Sequence, residues 1–89
     1  MRSDTLPDFL YSEKTRSVTH GRHAVMLSES EFIIFAQLAD GTRKSGVDLA
    51  GSDFSLTYVY VVIRRLRGKL EKIGLTLDHD GHRYHITTL

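Results

Sequence analysis

Residues 64–72 hold five cations, Arg64, Arg65, Arg67, Lys69 and Lys72, against one anion, Glu71. Positive charge this concentrated attracts phosphate or another acidic surface. An arginine fork can bond a guanine edge bidentately, and a valine such as Val61 can meet a thymine methyl. The chemistry on offer is recognition of an anionic polymer. A second group of reactive residues is His79, His82 and His85 with Asp78 and Asp80, all types that ligate metals. In a hairpin, however, side chains alternate faces, so His82 and His85 diverge, and the chain has no helical His-x-x-x-His pair. These histidines read as solvated side chains of the hairpin. Serine, histidine and aspartate are present, but no G-x-S-x-G or phosphate-binding glycine loop ties them together. No enzymatic activity, metal or cofactor is expected.

The cations need an element to present them. Leu56, Val59, Ile63, Leu66, Leu70 and Ile73 recur at steps of three and four, which makes one apolar stripe on a helix. With Ile63 facing inward, 100° steps put Thr57, Tyr58, Val61, Arg65, Gly68 and Lys72 on the far side, flanked by Arg64 and Lys69. A strand over the same residues would mix Val59, Val61 and Ile63 with Arg65 on one face, so that period fails. The helix expected over 56–72 is about 17 residues, or roughly 26 Å, long. One face wants a core; the other reads as a DNA-recognition surface.

Elements around it follow in order. Residues 1–8 are polar with the only proline, Pro7, and read as a flexible lead-in. Short strands are expected at 9–11, 16–19 and 24–27, forming a small antiparallel sheet that needs a helix to cover it. Ser28-Glu29-Ser30-Glu31 spells a capping box, with Leu27 and Phe32 placed as a hydrophobic staple. The helix that follows shows Phe32, Phe35, Ala36 and Ala39 on one stripe, widened by Ile34 and Leu38, and ends at Asp40-Gly41. Lys44 to Ala50 suggests a short helix, against which Gly46 counts. Asp53 or Ser55 can cap the long helix, and Gly74 ends it. Strands at 75–78 and 83–87 flank a turn at His79-Asp80-Gly81-His82.

With 89 residues, one domain is expected, 9–89, and 40% hydrophobic with 26% charged residues is globular composition. No cysteine is present, so neither a disulfide framework nor a thiolate metal site is available. No apolar run approaches the roughly 18 residues of a membrane span, and the amino terminus lacks a signal-peptide core. A soluble, cytoplasmic protein without a membrane partner is expected. The net charge of +1 is small, but it is unevenly spread: residues 1–40 carry four cations and six anions, residues 41–89 eight cations and five anions.

Three segments resemble the OmpR/PhoB-type DNA-binding domain of bacterial response regulators. Leu27-Ser28-Glu29-Ser30-Glu31-Phe32 is similar to the family's L-T-x-x-E-F helix opening. Val59 to Glu71 resembles its V-D-V-x-I-x-x-L-R-x-K-L-E recognition helix, and Gly81-His82-Arg83-Tyr84-His85-Ile86 its G-x-G-Y-x-hydrophobic wing. The resemblance covers roughly residues 9–88 and implies an α+β winged helix-turn-helix: an N-terminal small antiparallel sheet, three helices and a C-terminal β-hairpin wing over 75–87. Arg83 stands where the family has a second wing glycine, and Asp80 where a basic residue is common. The 51–55 connection, at the position where the family often touches RNA polymerase, is short. No receiver domain lies within these residues, so a stand-alone domain is expected.

The resemblance and the helical wheel together imply a sequence-selective binder of double-stranded DNA, a transcription regulator. Tyr58, Val61, Val62 and Arg65 would face base edges. Thr57, Arg64, Arg67 and Lys69 would hold phosphates, with Arg83 and Tyr84 of the wing on the backbone or minor groove. Arg67 lies about 40° from the core direction, where pairing with a carboxylate inside the molecule competes with that role. RNA polymerase or another regulator is an implied partner, and copies of the chain could pair on DNA as a homodimer. The rival reading is a winged-helix protein-interaction adaptor, favoured by the near-neutral charge, Tyr58 and Tyr60, and Asp80 in the wing.

Overall fold

A computed structural model describes residues 6–89; residues 1–5 of the lead-in expected over 1–8 lie outside the described residues. Leu6 packs against the core. Strands β1 (Leu10–Ser12), β2 (Ser17–His20) and β3 (His23–Met26) form an antiparallel sheet in that order. Val18, at its centre, is fully buried. Each strand is shifted by one residue from its expected bounds, with the register Tyr11 opposite Val18 and Val18 opposite Val25.

Helix α1 (Glu29–Leu38) starts as its residues dictate. The Glu31 amide donates to Ser28 Oγ at 3.3 Å, and Glu31 Oε1 accepts from the Ser28 amide at 2.8 Å. Leu27 and Phe32, the two staple positions, are both buried. The helix is enclosed on two sides. Phe32 and Phe35 meet Tyr11 of the first sheet at ring-centroid distances of 6.1 and 5.5 Å, while Ile34 and Leu38 are also fully buried. Ala36, expected on the apolar stripe, is exposed.

The expected 44–50 helix is divided. Lys44–Ser45 form a two-residue strand, β4, and only Gly46–Ala50 are helical, α2. Ser45 serves both elements, ending the strand and accepting from the Asp48 amide at 3.1 Å as the helix cap. Gly46 is an asset here rather than a fault. A Cβ at that position would stand 3.0 Å from Tyr60 Cε1 and 3.2 Å from Leu56 Cδ1, closer than ordinary contact.

Helix α3 (Leu56–Glu71) is capped by Ser55, whose hydroxyl accepts from the Tyr58 amide at 3.1 Å. Strands β5 (Leu75–Asp80) and β6 (Arg83–Thr88) follow, longer than expected because pairing continues to Asp80 opposite Arg83. The turn is therefore Gly81-His82, with Gly81 at φ +69° as a two-residue hairpin turn requires. β4 adds to β6, so the wing sheet has the order β4-β6-β5. Leu75, Leu77 and Ile86 turn inward and complete one core with Leu66, Leu70 and Phe35. No helix of the described residues is long and apolar enough to cross a membrane.

Candidate nucleic-acid interface

The inward face of α3 is Val59, Val62, Ile63, Leu66 and Leu70, continued by Ile73 beyond its end. On a wheel at 100° per residue its centre lies about 50° round from Ile63, toward Val62. Three elements pack on α3, namely α1, α2 and β5, so its buried arc is wide. Two expectations fall with this rotation. Val62 is 1% exposed and cannot reach a base edge, whereas Leu56, assigned to the core, is 41% exposed.

The outward direction is consequently held by Thr57, Val61, Arg64 and Gly68, with Arg65 and Lys72 beside them, all exposed. Val61 keeps 40% of its surface open amid this charge. Its exposed methyl groups gain by meeting an apolar surface. Arg64, Arg65 and Lys72 form no side-chain hydrogen bond or ion pair with another described residue. Their charges stay available to a ligand.

The two flanks are tied down. On one flank, the Tyr58 hydroxyl donates to Ser30 Oγ at 3.2 Å and its ring lies 5.5 Å from that of Phe54. Lys69, expected on phosphate, instead places Nζ 2.7 Å from Glu31 Oε1. Glu31 is almost fully buried. Burial pushes its carboxyl pKa up, but the Lys69 ammonium and the Ser28 amide outweigh that and hold it below the ordinary value. On the other flank, Arg67 Nε donates to the Leu77 carbonyl of β5 at 3.0 Å. The expected internal competition for Arg67 is present, although the partner is a backbone carbonyl and not a carboxylate. Lys69 and Arg67 lock α3 to α1 and to the wing respectively.

In the wing, Arg83 is exposed at the tip, opposite Asp80. Tyr84 is half-buried, packs against the core and lies 5.8 Å from the His79 ring. Its role is to seat the wing more than to reach outward. Arg43, which sequence reasoning passed over, approaches both wing strands: Nη1 donates to His85 Nδ1 at 3.2 Å and lies 3.8 Å from Asp80 Oδ2. The missing signal was β4, which brings residue 43 beside β6. His79 Nδ1 donates to the Gly81 carbonyl at 3.2 Å. His79 and His85 thus have separate partners, and among the described residues no three His, Asp or Glu groups gather as for a metal ion.

No protein-family model and no curated protein matches the chain. Among solved structures, the DNA-binding domain of response regulator AdeR, determined in complex with an intercistronic region, is similar. Its TM-score is 0.69 at 19% identity, over 97% of this chain and 100% of that one. The likeness runs along the full length, and the chain has the winged-helix fold of that domain: a small sheet, three helices and a hairpin wing.

Proposed function

We propose that this chain is a sequence-selective double-stranded DNA-binding transcription regulator that lays α3 in the major groove. The observation that carries the reading is the outer face of α3, where Arg64, Arg65 and Lys72 stand without side-chain partners among the described residues around an exposed Val61. Arg65 bonds a guanine edge and Val61 meets a thymine methyl, while Tyr58, fixed by Ser30, borders the same bases. Thr57, Arg64 and Lys72 hold phosphates and set the register. Arg83 brings the wing tip to the backbone or neighbouring minor groove, on a hairpin seated by Tyr84 and stiffened by Arg43. Val62 and Lys69 serve the fold. The likeness to a domain determined with a DNA region supports the assignment.

Amide chemical-shift mapping with short mixed-sequence duplexes tests it. The expected shifts lie on the outer residues of α3 and on 79–83. Shifts confined to β1–β3, or none at any salt concentration, contradict it. The second outcome favours the adaptor, a reading that the loss of Lys69 and Arg67 to internal bonds already makes more competitive.

A further inference from the structure

One residue of α3 has no explanation within the fold. Gly68 lies inside a 16-residue helix, where glycine is less favourable than alanine because it gives up more backbone freedom. Its backbone is not in the left-handed region. A Cβ built on it would meet nothing within 4 Å, so no neighbour demands its smallness. Gly46 shows the opposite case, crowded by Tyr60 and Leu56. Gly68 also lies within about 10° of the outward direction of the helix. Exposed Arg64, Arg65 and Lys72 frame it, one turn or less away along the helix. The result is a bare patch of helix backbone walled by cations that lack side-chain partners among the described residues.

We propose that Gly68 is where a sugar–phosphate strand of duplex DNA comes closest to α3, its missing side chain letting the C-terminal half of the helix sit deep in the groove. This rests on the duplex-facing reading of α3. Arg64 and Lys72 can then each reach a phosphate from beside the contact, and the helix tolerates a poor helix former because the smallness is used on binding.

The test compares the wild-type chain with Gly68→Ala and Gly68→Lys by thermal unfolding and by titration with a duplex that the wild type enriches from a random pool. Both variants are expected to melt higher than the wild type, since each is a better helix former. Gly68→Ala is expected to bind about tenfold more weakly, because a methyl group is forced into a packed contact. Gly68→Lys is expected to bind more weakly still, even though an added cation at an open site strengthens phosphate binding. Binding by either variant as tight as the wild type overturns the proposal, and so does a lower melting temperature, which places the demand for glycine inside the fold. If the wild type enriches and binds no duplex, the duplex-facing reading of α3 fails first and the role of Gly68 goes with it.

Discussion

Arg65 and Lys69 are one helical turn apart and both cationic, yet their surroundings give them opposite tasks. Arg65 is exposed with no described partner, while Lys69 neutralises a nearly buried carboxylate. Arg65→Ala should therefore cost about 1–3 kcal/mol of duplex binding and relax preference at one base pair, measurable by titration against single-base variants of the bound site. An unchanged preference would remove Arg65 from the base-reading set. Lys69→Met should lower folding stability by about 1–3 kcal/mol at neutral pH, because Glu31 keeps its charge without its partner. The sign with pH follows from Glu31, whose folded pKa is held below the ordinary 4.5. Its contribution is complete above that value and is lost as pH falls through the depressed folded pKa. Urea unfolding of both proteins should show a gap that closes below pH 4.5. A constant gap would mean that the ion pair is not its source.

At the scale of elements, α3 was legible in its length and its basic character, because periodicity is a local signal. Which way it faces was not. Centring the wheel on Ile63 followed the apolar stripe alone, whereas α1, α2 and β5 all pack on α3 and the buried arc extends round to Val62. That about 50° rotation exchanges Leu56 for Val62 in the core. Val62→Ala should consequently cost about 1.5–3 kcal/mol of stability and leave duplex affinity of the folded protein unchanged, by unfolding and titration in parallel. A loss of affinity without loss of stability would restore Val62 to the interface. The capping box and wing hairpin were equally readable, being written in four to six consecutive residues. β4 was not, since two residues have no period and their partners Tyr84 and Arg83 lie far along the chain. Lys69 with Glu31, and Arg67 with Leu77, were hidden for the same reason: an ion pair or bond across elements leaves no local trace.

For the whole molecule, the small net charge of +1 conceals a cationic group, Arg64, Arg65 and Lys72 on one side of α3 with Arg83 at the wing tip. Taking Arg64, Lys72 and Arg83 as phosphate contacts, the logarithm of affinity should fall against the logarithm of salt with a slope of about −3. Arg64→Ala should flatten that slope by about one. A slope near zero would mean that phosphates do not hold the complex. The central claim is that this face reads sequence as well as charge, and selection from a random duplex pool at physiological salt, followed by sequencing, tests it most directly. An enriched motif containing a guanine whose preference disappears in Arg65→Ala is the predicted result; a bound pool with no enriched motif, or no bound pool at all, would contradict it.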